Sequence, residues 1–105
     1  MSRALAIGLA DRIIDVLRAH ESELRGAGIR HVSLFGSFAR GDAGPASDID
    51  LAVEFDPDGE MDLFRLSALE RRMAEMLGRR VDLLPEPVEK ARLRARIERD
   101  RRRAF

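Results

Sequence analysis

Residues 31–50 read HVSLFGSFARGDAGPASDID, and this segment carries the strongest structural signals in the sequence. His31–Phe35 alternates in polarity and is rich in strand-forming residues, which predicts a first strand. Gly36-Ser37 breaks that strand, and Ser37 is suited to cap a short helix that follows it. Ten residues separate Ser37 from Asp48-Ile49-Asp50, which opens a second apolar strand. Two strands, a tight turn and a pair of acids therefore fall within one short segment.

Outside this stretch, successive segments of the chain space their apolar residues either as in a helix or as in a strand. Leu5, Leu9, Ile13 and Leu17 recur at helical spacing, and a second amphipathic pattern precedes Gly78. The predicted elements are, in chain order, helix 3–25, strand 31–35, helix 37–40, strand 49–55, helix 62–77, strand 80–84 and a final helix from Pro87. This order predicts an α/β (α+β) fold with one small mixed sheet and helices packed on it. The length of 105 residues predicts a single domain, 1–105.

Charge is balanced in total but divided along the chain. Lys plus Arg and Asp plus Glu both number 19. Residues 88–105 hold eight basic and three acidic residues, a net charge of +5, so residues 1–87 carry −5. We expect no direct nucleic-acid binding, because such proteins present positive charge over a docking face. The basic C-terminal segment is either a solvated, partly frayed end or a surface that docks an acidic partner or clamps phosphate.

Cysteine is absent, which excludes disulfides and thiolate zinc sites and is compatible with a reducing cytoplasm. The apolar run from Ala4 to Ala10 is short for a signal peptide, and the helical period continues through it. No run approaches the roughly 20 apolar residues of a membrane span. We therefore expect a cytoplasmic protein that makes no membrane contact.

Three aspartates are the candidate metal ligands and catalytic residues. Asp48 and Asp50 stand two apart on a strand, so both side chains point to one side, about 6.6 Å apart along the chain. Asp82 interrupts the apolar third strand, and it joins them if the second and third strands are neighbours. Hard oxygen ligands favour Mg²⁺ or Mn²⁺ over zinc, and three carboxylates suit a two-ion phosphoryl-transfer site. The alternatives are loop-capping or surface charge at Asp48 and Asp50, and a strand-edge acid at Asp82.

The Gly36-Ser37 turn is the candidate nucleotide-binding element. Gly36 allows a phosphate to approach the backbone closely, and the N–H groups and hydroxyl at Ser37 can donate to it. Arg40, one turn later, can reach the same phosphates. The alternatives are an ordinary helix start at Gly36-Ser37 and a solvated helix residue at Arg40.

Taken together, these motifs resemble a known family. Gly36-Ser37, the ten-residue gap, Asp48-x-Asp50 and a later Asp82 resemble the DNA polymerase β-type nucleotidyltransferases. Within that superfamily, GSFARGD followed by SDIDL resembles the minimal nucleotidyltransferases (MNT), over about residues 5–100. The resemblance implies binding of ATP with Mg²⁺, with Asp48 and Asp50 as metal ligands. It also implies that Asp82 completes the site and helps to activate the attacking hydroxyl, while pyrophosphate leaves.

The same resemblance implies a protein partner. Minimal nucleotidyltransferases are antitoxins of small helical HEPN-domain toxins that cleave RNA, and they add AMP to a toxin tyrosine. The expected function is therefore AMP transfer from ATP to a hydroxyl of a HEPN-type toxin, in a hetero-complex with it. This chain contains no tyrosine, so transfer to its own tyrosine is excluded. Two alternatives stay open: an antitoxin that acts by binding alone, and a small-molecule nucleotidyltransferase.

Overall fold

The computed structural model describes residues 3–105, and their side chains from Gly8 onward. The predicted apolar position Leu5 thus lies outside the described side chains. The elements in chain order are α1 Arg3–Ala19, α2 Glu21–Gly26, β1 Ile29–Phe35, α3 Ser37–Arg40, β2 Ile49–Phe55, α4 Leu63–Leu77, β3 Val81–Pro85, α5 Ala91–Asp100 and β4 Arg102–Arg103. No helix in this part of the chain is long and apolar enough to cross a membrane.

The strands form one mixed sheet in the order β3-β2-β1-β4. β1 runs antiparallel to β2 and to β4, whereas β2 and β3 are parallel. Because a parallel pair needs a long crossover, the chain uses α4 to return from the end of β2 to the start of β3. The predicted fold, a small mixed sheet with packed helices, is confirmed.

Helices cover both faces of this sheet. The first face carries Val32, Leu34, Leu51 and Val53, each fully buried, against apolar residues of α1 and α4. The second face carries a smaller cluster in which Phe35, Ala52, Val88 and Ile97 are buried. Strand alternation explains the division, since residues two apart share a face. The second face is covered by α5, and it is the face to which Asp50 belongs.

The predicted first helix, 3–25, is two helices. His20 leaves the helical conformation at φ −104° and ψ 16°, and α2 begins at the next residue. The ring Nδ1 of His20 lies 2.9 Å from the Val16 carbonyl oxygen, so the side chain competes for a carbonyl at the end of α1. The apolar period passes through this break unchanged, which is why the sequence pattern does not show it.

The final helix begins at Ala91, not at Pro87 as predicted. The Glu86 N–H donates to the Val53 carbonyl at 2.8 Å, so the chain remains hydrogen-bonded to β2 beyond the end of β3.

The two-residue strand β4 was not predicted, because so short a segment shows no apolar periodicity. Its extension is bonded to β1 through the Ala104 N–H and the Val32 carbonyl, at 2.9 Å.

The arginines that follow α5 bind the body of the protein. Arg101 donates to both carboxylate oxygens of Glu86, at 3.0 and 2.6 Å, and to Ser33 Oγ at 3.0 Å. Arg102 pairs with Asp11, and Arg103 contacts the ring of His31. Residues 101–103 are therefore not a frayed end: each makes a contact with the body of the protein, and Arg101 makes the most extensive one.

Candidate active site

Gly36 forms the turn between β1 and α3. Its φ of 76° and ψ of −155° lie in a region that residues with a side chain avoid. The N-cap position belongs to Gly36, and Ser37 is the first helical residue, so the predicted capping role of Ser37 is wrong. The Arg40 N–H donates to the Gly36 carbonyl at 3.1 Å and closes the turn.

This turn lies directly against the carboxylate of Asp50. A Cβ built at Gly36 would overlap Asp50 Oδ2 and would lie 3.2 Å from Asp50 Cγ. Any side chain at position 36 would therefore displace the acid or the turn. The two halves of the motif that the sequence places far apart are thus in contact.

The strand register brings the predicted acids to one place. Asp50 is the direct partner of Asp82 in the parallel pair β2–β3. Asp50 is also opposite Phe35 in the pair β1–β2, at the end of β1 that leads into Gly36. Asp48 comes immediately before β2 and two residues before Asp50. The expectation that the second and third strands are neighbours is confirmed, and Asp82 lies on the exposed edge of the sheet.

The carboxylates act on one another electrostatically. Burial raises the pKa of Asp50 above its ordinary value, and the charges of Asp82 and Asp48 raise it further. The pKa of Asp82 is also raised, first by loss of hydration and then by the charges of Glu70 and Asp48. Negative charges that raise one another's pKa values in this way are stabilised by a nearby cation.

The donor set fits a hard divalent cation. Three aspartates supply only oxygen, as Mg²⁺ and Mn²⁺ prefer. Within residues 3–105, no three acidic or imidazole side chains are already gathered closely enough to enclose an ion. Asp48 Oδ1 instead lies 3.7 Å from Nε of Arg80, a side chain that is 88% exposed. Because an exposed ion pair contributes little, exchanging this arginine for a cation costs little.

Arg40 connects the site to α5. Its Nη1 donates to Asp100 Oδ2 at 2.8 Å, and its Nε donates to Asp42 at 3.2 Å. Asp100 is buried, and hydrogen bonds from Arg99 and then from Arg40 hold the pKa of its carboxyl below the ordinary value. The charge of Arg40 also acts on Asp50, where it opposes the upward shift in pKa. Arg40 therefore places positive charge beside the carboxylates from a fixed position.

Three further residues near the site were not assigned to it individually by sequence reasoning. Glu70 of α4 accepts the Leu83 N–H at 2.9 Å, next to Asp82, and nothing in its helical pattern indicates this. Asp100 stands three residues after the buried Ile97, and an acid on the apolar face of a helix was a usable signal. Arg96 acts on Asp50 electrostatically but appeared in the sequence only as one arginine among many.

Comparison with known proteins gives matches over most of the chain. The model of the nucleotidyltransferase domain family matches residues 12–105. Protein adenylyltransferase MntA of Thermococcus cleftensis is 37% identical over 81 residues, which cover 76% of this chain and 80% of that protein.

Two solved complexes share the fold. A toxin–antitoxin structure with AMP-PNP matches with a TM-score of 0.67 at 23% identity, over 91% of this chain and 72% of the matched chain. A tri-AMPylated Shewanella oneidensis HEPN toxin in complex with its MNT antitoxin matches with a TM-score of 0.59 at 21% identity. That match covers 99% of this chain and 72% of the matched chain.

Proposed function

Because the chain belongs to the nucleotidyltransferase domain family, we propose that it transfers AMP from ATP to a hydroxyl of a HEPN-type toxin and so acts as its antitoxin. The observation that carries the proposal is the pairing of Asp50 with Asp82 beside the Gly36 turn. That arrangement places an acidic cluster next to a backbone turn with no side chain, as a metal-bound triphosphate requires. The similar MntA protein, described as a protein adenylyltransferase, supports this reading.

We assign the nucleotide and the ions to separate parts of the site. Gly36 and Ser37 would hold the phosphates through the backbone and the Ser37 hydroxyl, and Arg40 would add positive charge. Asp48, Asp50 and Asp82 would hold Mg²⁺ or Mn²⁺, with two ions expected. When bound, these ions neutralise charge on the phosphates and stabilise the transition state. The structurally similar toxin–antitoxin complex was solved with AMP-PNP, which supports ATP as the nucleotide.

The reaction is a substitution at the α-phosphorus. A bond forms between the acceptor hydroxyl oxygen and the α-phosphorus, and the bond from that phosphorus to the oxygen of the β-phosphate breaks. Pyrophosphate leaves with the bonding electrons, and the hydroxyl proton passes to Asp82, which stands at the open edge of the sheet. The protein contributes chiefly by holding the reactants in place and by stabilising charge.

The acceptor is a side chain of the partner. This chain has no tyrosine. In the structurally similar Shewanella oneidensis complex the HEPN toxin is tri-AMPylated, which supports a HEPN-type acceptor. We propose that the two proteins form a hetero-complex in which a toxin tyrosine reaches the acidic edge. We place the reaction in the cytoplasm, where ATP and Mg²⁺ are supplied.

Intact-mass analysis of a co-expressed HEPN-type partner tests this function. With the wild-type chain we expect the partner to gain the mass of AMP or a multiple of it. With Asp48→Asn/Asp50→Asn, which keeps the shape of both side chains, we expect no added mass. Neutralisation of the partner without added mass would contradict AMP transfer and would favour an antitoxin that acts by binding alone.

A further inference from the structure

The arginines of α5 and of the segment after it have different bonding partners. Arg94 donates through Nη1 to the Val88 carbonyl at 3.1 Å, and Arg99 donates to Asp100 at 3.0 Å. Arg101 is held by Glu86 and Ser33, as described above. Arg96 is exposed and makes no hydrogen bond or ion pair with any of residues 8–105, whose side chains the structure describes.

The position of α5 brings Arg96 to the acidic site. Ile97 is buried against Phe35 and Ala52 on the second face of the sheet. Phe35 is the cross-strand partner of Asp50, and Ala52 stands two residues from Asp50 on the same strand and the same face. The helix α5 therefore packs on the face of the sheet that carries Asp50, against the cross-strand partner of that residue.

The helical period fixes the side of α5 on which Arg96 lies. Arg96 stands four residues before Asp100, so the two share one side of the helix. That side faces α3, because Asp100 accepts from Arg40. Arg94, two residues from Arg96, lies on another side.

We propose that Arg96 binds the β- and γ-phosphates of the nucleoside triphosphate, opposite the Gly36 turn and beside Arg40. This inference rests on the proposed function, which it extends by a residue that the motif does not contain. A guanidinium binds phosphate oxygens through two parallel N–H donors, and no carboxylate of residues 8–105 is hydrogen-bonded to that of Arg96. Negative charge builds up on the departing pyrophosphate, so the same contact also assists the transfer.

Calorimetric binding of AMP-PNP and of AMP, each with Mg²⁺, tests this proposal on the full chain. Arg96→Gln should weaken AMP-PNP binding by about tenfold or more, as expected for loss of a charge-assisted hydrogen bond. The same change should leave AMP binding within about twofold, because AMP lacks the two outer phosphates. Arg94→Gln is the matched control: it removes the same charge from another side of α5. Arg96→Lys should restore part of the affinity, since it keeps the charge without the planar fork.

Several outcomes would overturn the inference. One is Arg96→Gln protein that binds AMP-PNP as tightly as the Arg94→Gln control. Another is an equal loss for AMP and AMP-PNP, which would place the effect on the nucleoside or on the fold. Because Arg96 has no bonded partner among residues 8–105, Arg96→Gln protein should have the same Tm as the wild type, and a lower Tm would also count against the proposal. A folded wild-type chain that binds no AMP-PNP would contradict the proposed function itself. If the wild type binds AMP-PNP and Arg96→Gln binds it equally well, only the proposed role of Arg96 is contradicted.

Discussion

Replacement of Asp100 by Asn removes one negative charge from the junction of α3 and α5 while keeping the shape of the side chain. The Asp100 side chain is 3% exposed and accepts hydrogen bonds from Arg40 at 2.8 Å and from Arg99 at 3.0 Å. Removing one partner of a fully buried ion pair costs about 3–5 kcal/mol. Here the Arg40 side chain is 37% exposed, so water screens the pair and the released arginine can turn to solvent. We therefore expect Asp100→Asn to lower the free energy of unfolding by about 2 kcal/mol.

Thermal and urea unfolding at neutral pH measure this loss. For a chain of this size, about 2 kcal/mol corresponds to a fall in Tm of roughly 10 °C, with an unchanged urea m-value. Asp42→Asn is the matched control, because Asp42 binds the same Arg40 at 3.2 Å but is 62% exposed. It should cost less than about 0.5 kcal/mol. An Asp100→Asn protein as stable as the wild type would show that the buried ion pair does not stabilise the fold. An equal loss of unfolding free energy in Asp42→Asn would show that burial of Asp100 is not the cause.

The same pair predicts how stability depends on pH. Hydrogen bonds from Arg99 and Arg40 hold the pKa of Asp100 below its ordinary value, so ionised Asp100 favours the folded state. Its contribution is complete above the unfolded pKa of about 3.9 and is lost as the pH falls through the lower folded pKa. The stability difference between wild type and Asp100→Asn should thus be constant above about pH 5 and shrink below about pH 4. A difference that persists in acid would contradict this assignment.

Three further predictions concern the site and the C-terminal segment. Gly36→Ala should lower the free energy of unfolding by at least about 2 kcal/mol, because its φ is positive and its Cβ would overlap Asp50; an unchanged thermal melt would disprove the contact. Asp50→Asn should abolish AMP transfer yet raise the free energy of unfolding at neutral pH, since burial and like charges disfavour the ionised acid; a lower free energy of unfolding would contradict that repulsion. Glu86→Gln should cost about 1–2 kcal/mol in urea unfolding, because Glu86 holds Arg101 through both oxygens, whereas Glu98→Gln, 63% exposed, should cost under about 0.5 kcal/mol. Equal losses for the two glutamate variants would show that burial does not set the strength of these pairs.

The sequence predicted the parts of the fold that repeat a period. Strand β2 was placed correctly, and the helix before Gly78 to within one residue of its start, because apolar periods mark them; Asp62, counted inside that helix, is its N-cap. The break at His20 and the strand Arg102–Arg103 were missed. The first involves a local contact between the His20 ring and the Val16 carbonyl, the second depends on pairing with β1, and neither leaves a trace in the apolar pattern.

The candidate site also has features that the sequence predicts and features that it does not. The motif names Asp50 and Gly36 as candidate site residues, but their direct contact follows from strand pairing and could not be predicted from the sequence. The arginines show the limit most clearly. Composition presents seven similar arginines in 88–105, whereas Arg101 lies in a network of ion pairs and Arg96 shares the side of α5 that carries Asp100. Only the placement of α5 on the sheet separates these roles.

Pyrophosphate release by the purified chain, mixed with its HEPN-type partner, ATP and Mg²⁺, shows whether Asp50 and Asp82 catalyse AMP transfer. We expect one pyrophosphate for each AMP that becomes attached to the partner. The Asp50→Asn and Asp82→Asn proteins should release none above background while remaining folded. Pyrophosphate release by the Asp50→Asn protein at the wild-type rate would contradict the claim that these paired acids form the catalytic centre.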